Sequence, residues 1–178
     1  KGMGELVSAI QKLRQRDESV HLLIVGAGKD VPYGLMKYLK RGKDSTYVND
    51  LNNIEGVTVE GYRDHKEMPE FLAAADIVCV PHRNTLSANA QLPIKIFEPM
   101  AMEKAVVTTN TTDMKDIFTG CGTVVRPDSV QALVDGIQEY VEDKELRLKH
   151  GRRARKECVD KYSWKIMKEK TKAVYESL

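Results

Sequence analysis

The feature that most limits how this chain can fold is a repeated alternation. Short apolar runs, too brief and too β-branched to be helices, are each closed by Gly or Pro and separated by segments with helical spacing. Residues 20–25 end in Gly26-Ala27-Gly28, residues 57–59 end at Gly61, and residues 77–80, which read as a buried strand, end at Pro81. Residues 105–108 and 123–125 continue the series, the last closed by Arg126-Pro127. Between them, Leu6, Val7, Ile10 and Leu13 recur on one helix face, and residues 35–39, 68–75 and 114–118 also read as helical, with a polar loop over 41–53. Asp128 or Ser129 is placed to cap a helix whose core face is Leu133, Ile137 and Val141. Two more helices are predicted over 144–160 and 164–178, joined at Tyr162-Ser163. Strands alternating with helices imply βαβ units, and hence a doubly wound, Rossmann-like α/β domain with a mainly parallel sheet covered on both faces. In such sheets the ligand lies at the C-terminal ends of the strands, which directs attention to the loops starting at Gly26, Gly61, Pro81 and Asn110.

The composition narrows the class. With 178 residues, 42% hydrophobic and 30% charged, the chain suits one core, and no apolar stretch is long enough to span a bilayer. Three cysteines, Cys79, Cys121 and Cys158, are an odd number without CxxC spacing, which argues against a disulfide framework and a zinc site and for a reducing, cytoplasmic setting. The chain opens on Lys1 with neither an initiator Met nor a basic-then-apolar leader, and reads as a piece of something longer. Its net charge of +2 conceals an asymmetry, because residues 144–172 hold twelve Lys or Arg against four Asp or Glu. The basic run at 152–156 reads first as a solvated face and, more sharply, as a contact for anionic lipid headgroups.

One segment carries chemistry. Pro93 is suited to the first turn of a helix, which would place Lys95 and Glu98 together near free backbone N–H groups at its positive end. The bland reading is an i, i+3 ion pair on a solvated face. The Gly26-Ala27-Gly28 turn looks like a dinucleotide fingerprint, but the third glycine position is Val31 and no acidic residue follows at the right distance, so NAD is rejected. His65 and His82 sit beside strand ends, where a loop histidine is usually a surface residue. Cys79, inside an apolar run, reads as a buried hydrophobe.

The stretch Leu92-Pro-Ile-Lys-Ile-Phe-Glu-Pro-Met-Ala-Met-Glu-Lys-Ala-Val-Val resembles the "SPxKxxEYMAxGKPVV" block of family-4 glycosyltransferases of the GT-B fold. "HLLIVGAG", "VTVEGYRDHKEMPEFLAAADIVCVP" and "GCGTVVRPDSVQALVDGI" are similar to its neighbouring blocks, in the expected order. The likeness is to the C-terminal, donor-binding half. It implies a retaining transfer of sugar from a UDP- or GDP-sugar to a glycan or lipid-linked acceptor, with no metal or other cofactor and no nucleic acid. Glu98 would bind the ribose, within a nucleotide-binding set that also includes Ile94, Tyr62, Arg63 and Gly26. Lys1-Gly2 resembles the end of the family's "GRL…KG" segment, so Lys1 and Lys95 would be the catalytic pair that meets the diphosphate.

There is one departure from the pattern. Many members carry a second Glu eight positions earlier, where this chain has Ala90. Sugar contacts would then fall to His82, Asn89 or Gln91. The resemblance also divides the chain into a nucleotide-sugar-binding unit over 1–160 and a helix over 161–178 that would cross back to the protein's own N-terminal domain. Trp164, Met167, Thr171, Val174 and Leu178 share a face of that helix and read by default as a core stripe. A non-catalytic module that binds a nucleotide or a protein is the alternative that Ala90 would permit.

Overall fold

The computed structural model describes residues 2–26, 51 and 53–177. Lys1, the predicted helix at 35–39, nearly all of the loop 41–53, and Leu178 lie outside the described residues.

Helix α1 (Met3–Arg14) buries Leu6, Val7, Ala9, Ile10 and Leu13, the stripe its spacing predicts. Strand β1 (Leu22–Val25) pairs in parallel with β2 (Val57–Glu60), Leu22 opposite Val57 and Val25 opposite Glu60. After a 3-10 turn, helix α2 (Met68–Ala74) leads to β3 (Ile77–Val80). Helix α3 (Leu86–Asn89) and helix α4 (Phe97–Ala101) precede β4 (Ala105–Thr109), and α5 (Met114–Ile117) precedes β5 (Thr123–Val125). β3, β4 and β5 form a second parallel sheet in that order, Ile77 opposite Ala105 and Val107 opposite Thr123. Helices α6 (Val130–Glu142) and α7 (Lys144–Glu157), a π-helical turn at Cys158–Tyr162 and α8 (Trp164–Glu176) follow.

All five residues of β4 are buried, and the pleat sends them alternately to two cores. Ala105 and Val107 join residues of α1, β1 and α6, whereas Val106 joins Ile96 and Met100 beside α4, Met114, Ile117 and Phe118 at α5, and Ala154 of α7. Helices therefore cover both faces, as the alternation of elements requires. β3 departs from expectation, since each of its residues is half-buried. Cys79 nevertheless packs against the first core, and burial pushes its thiol up to about 12, the inert state expected of it.

Two capping details decide local geometry. Ser129, rather than Asp128, caps α6: its Oγ accepts the Ala132 N–H at 3.2 Å, while Asp128 sits at φ 57° and turns its carboxylate to the Asn84 N–H at 3.1 Å. The core face of α6 includes Leu133 and Ile137 as predicted, but Tyr140 is fully buried where Val141 is only half-buried. α8 reverses the default reading of its stripe. No residue of it is buried; Trp164 is 91% and Val174 61% exposed. An apolar face was legible in the sequence, but the described residues provide nothing that covers it.

Candidate functional site

The C-terminal edge of the strands is drawn together by short bonds between loops. Gly26, at φ 84° where a side chain would be strained, gives its N–H to the carbonyls of Glu60 at 3.2 Å and Gly61 at 3.1 Å, joining the ends of β1 and β2. The Gly2 N–H meets the Pro81 carbonyl at 3.3 Å, which brings the start of α1 to the end of β3. The His82 N–H donates to Thr109 Oγ1 at 2.8 Å, and that hydroxyl donates to the His82 carbonyl at 2.8 Å, tying the end of β3 to the end of β4.

Into this edge projects the segment around Pro93. A helix does start here, but not in the expected form. Pro93 is the extended cap (φ −72°, ψ 110°) of a 3-10 turn, Ile94–Ile96, and α4 begins only at Phe97. Pro99 accounts for this: lacking an N–H, it cannot bond to the Lys95 carbonyl, and its ring crowds that carbonyl, so the preceding turn closes i to i+3. Buried Ile96 and Met100 fix the segment to the second core. Ile94, at 76% exposure, and Lys95 are left at the surface, with Glu98 in the first turn of α4.

The Glu98 side chain is 41% exposed, and its Oε1 lies 3.7 Å from Nδ1 of His65. It makes no ion pair with Lys95 among the described residues, so the bland i, i+3 reading does not form. His65 opens the 3-10 turn His65–Glu67 after β2. That turn is held on both sides: Asp64 Oδ1 accepts the Lys66 N–H at 2.9 Å, and Glu67 Oε2 accepts the Asp64 N–H at 2.8 Å. The loops after β2 and before α4 thus meet at one carboxylate.

The remaining candidates divide. Tyr62, in the same loop, is 46% exposed. Arg63 is engaged, with its guanidinium paired to Glu60 and 5.8 Å from the Phe71 ring centre, an arrangement that offers the ring face to a cation within the protein. Asn89 ends α3, where its amide donates to Asn84 Oδ1 at 2.9 Å, and Gln91 is exposed beyond it. Helix α3 lies within the segment that begins as a loop at Pro81; Thr85, whose Oγ1 accepts the Ala88 N–H at 3.2 Å, is the capping signal that marks it. Sequence reasoning also passed over Glu5 and Arg83, which lie far apart in the chain and pair at 2.7 Å. Burial raises the Glu5 carboxyl, but the bond from its own backbone N–H and the Arg83 guanidinium outweigh it and hold the group below its usual range. Among the described residues no cluster of His, Cys, Asp or Glu is placed to hold a metal ion.

A separate hollow lies elsewhere. About 500 Å³ in volume, it is lined by Asp143, Leu146, Lys149 and Arg152 at the start of α7. Arg147 of that turn pairs with Asp76, just before β3, at 3.2 Å, which places the hollow at the opposite, N-terminal edge of the sheet.

The unit is parallel and doubly wound, with the Glu98 carboxylate at its strand ends, where such folds place their ligand. The comparisons agree in family. Residues 1–143 match the model "Glycosyl transferases group 1", and the chain belongs to that family. It is 26% identical over 181 residues to a phosphatidyl-myo-inositol mannosyltransferase of Mycolicibacterium smegmatis, covering all of this chain and 42% of that protein. It is 24% identical to an alpha-D-kanosaminyltransferase of Streptomyces kanamyceticus, over 94% of this chain and 49% of that protein. The chain therefore spans less than half the length of these relatives. Among solved structures, an Anabaena protein in complex with UDP-glucose superposes with a TM-score of 0.75 at 22% identity, covering 100% of this chain and 46% of that one. The C-terminal domain of a Francisella tularensis group 1 glycosyl transferase superposes with a TM-score of 0.69 at 21% identity, over 92% and 80%. The fold is thus that of the C-terminal half of a GT-B glycosyltransferase.

Proposed function

We propose that this chain is the donor-binding half of a retaining glycosyltransferase and that it holds a UDP- or GDP-sugar across its strand ends. The observation that carries the reading is Glu98: a partly exposed carboxylate at the C-terminal edge of the strands, unpaired with Lys95 and set in the segment whose pattern the family shares. An ionised carboxylate accepts two O–H donors at once, the requirement of a ribose diol. Lys95 on the exposed 3-10 turn, with Lys1 outside the described residues, would meet the negative charge that collects on the leaving diphosphate without a metal ion. Tyr62 is available to stack on the base; Arg63 is the weaker candidate because its guanidinium already has partners. Ile94 and Gly26 complete the nucleotide contacts.

His82, Asn89 and Gln91 would contact the sugar in place of the carboxylate missing at Ala90. The loop that carries them is tied to β4 and to Asp128, so it is built to hold a position. The acceptor, a glycan or a lipid-borne group, would come from an N-terminal domain, and residues 161–178 would reach it; the uncovered face of α8 supports this. A contact with an anionic membrane face draws less support, because two arginines of the basic run serve the protein itself. Arg153 donates to the Gly120 carbonyl at 3.3 Å and Arg155 to that of Ala101.

Calorimetry with UDP and GDP tests the reading. The expected outcome is modest binding of one of them, weakened by about 1–3 kcal/mol in Glu98→Ala, the scale for losing hydrogen bonds to a charged group. Equal binding by the two proteins would remove the ribose assignment. Ala90 also favours a second reading, a nucleotide-binding module that transfers nothing, and assay of sugar transfer by the whole protein separates the two.

A further inference from the structure

We infer that His65 is a ribose-positioning residue, sharing with Glu98 the grip on one hydroxyl of the nucleotide. The inference rests on the assignment of Glu98 to the ribose and adds a partner on a different loop. A hydroxyl is both donor and acceptor, so one held by a carboxylate alone uses only its proton. The carboxylate here faces an imidazole nitrogen at 3.7 Å. That separation is too long for the two groups to satisfy each other by a hydrogen bond, and short enough for both to reach the same small group.

With its proton on Nδ1, His65 supplies the donor that Glu98 lacks: the hydroxyl gives its proton to Oε1 and accepts the imidazole N–H. The His65 side chain is 81% exposed, so the protein does not use it as packing. Its backbone is nonetheless fixed, because the two bonds made by Asp64 and Glu67 close the turn on which it stands. An exposed side chain on a held turn, facing the Glu98 carboxylate, is the arrangement of a group waiting for a ligand. The loop after β2 thereby takes part in reading the ribose as well as the base.

Editing the ligand tests this in a way that a merely structural role could not imitate. The affinity of whichever of UDP and GDP binds is measured beside its 2′-deoxy and 3′-deoxy analogues, for the 178-residue chain, His65→Ala and Glu98→Ala. The unaltered chain should prefer the ribonucleotide to at least one analogue by about tenfold, the worth of one good hydrogen-bonded contact. His65→Ala should lose several-fold on the ribonucleotide and nothing on the analogue that lacks the shared hydroxyl. Equal loss on all three ligands, or no loss on any, would overturn the inference. If Glu98→Ala abolishes the preference while His65→Ala keeps it, the inference fails and the ribose site stands. If neither nucleotide binds, or the preference is absent or survives Glu98→Ala, the ribose site falls and His65 with it.

Discussion

At the scale of single residues, the sharpest contrast is between two histidines. His65 is exposed beside a carboxylate, whereas His150 of α7 is half-buried against Tyr140, whose hydroxyl lies 2.7 Å from Nδ1 with the rings edge to face. Burial holds the His150 pKa below its usual 6.5, with Arg153 and Lys149 adding to the effect and Glu139 opposing it. Burial likewise pushes the Tyr140 phenol up to about 12, so the phenol keeps its proton throughout the ordinary range. The sign follows from which state takes the proton first. Above 6.5 both states are neutral at this position; as pH falls through 6.5 the unfolded chain protonates before the folded one, and stability declines toward the folded value. Thermal unfolding followed by circular dichroism should therefore show the melting point falling as pH drops below 6.5, with a flatter slope in His150→Gln. The Glu5 carboxyl acts lower, below 4.5, where acid removes the stability that its depressed pKa contributes.

Much of the site was legible at this scale, and for a physical reason. Glu98 and Lys95 stood out because Pro93 marks a helix start within a segment that resembles the family's block, although the fold divides them between a 3-10 turn and the first turn of α4. His65 as a partner for Glu98, and Glu5 with Arg83, were not legible, since each pair joins elements far apart in the chain and no local pattern reports which of them are neighbours. Arg63 illustrates the converse. A sequence can nominate a cation for a base, but only the fold reveals that Glu60 and Phe71 already hold it.

At the scale of elements, identity was readable and closeness of approach was not. The strands and most helices follow from periodicity and breakers, whereas the glycines that let them pack look alike in sequence. Gly151, in the middle of α7, rests on the turn between α4 and β4, where a Cβ would stand 2.0 Å from the Glu103 carbonyl oxygen. Glu103 itself has φ 58°, so that turn is already constrained. Gly4, in the first turn of α1, has nothing within 4 Å of where its Cβ would be. The same substitution should thus act in opposite directions. Gly151→Ala should lower stability by about 1–3 kcal/mol or more, the cost of forcing an atom into a packed contact. Gly4→Ala should raise it by up to about 1 kcal/mol, through helix propensity and a less entropic unfolded chain. Urea unfolding of the two variants checks both signs at once.

At the scale of the whole molecule, the two cores and the final helix stand in different relations to the rest. β4 stitches the cores together, so losing either would disturb the other; α8 buries none of its residues. A helix with an apolar face and no cover contributes little to the stability of what precedes it, because burial is what most helical stability comes from. Its face is the surface proposed above for contact with an N-terminal domain, and the relatives the chain matches are more than twice as long. The only tryptophan in the chain, Trp164, lies at its start and is 91% exposed, so fluorescence reports on this helix without interference. In the 178-residue chain its emission should be that of a solvated indole, readily quenched by iodide or acrylamide. When the chain is part of a protein carrying the N-terminal domain, the emission should shift to shorter wavelength and the quenching should fall, since the proposed contact removes the ring from water. A chain ending at residue 162 should melt at nearly the same temperature as the chain through 178, because no residue of α8 is buried. A large drop in melting temperature would mean that α8 stabilises the domain it follows, and an indole still open to quencher in the longer protein would mean that the N-terminal domain does not cover it.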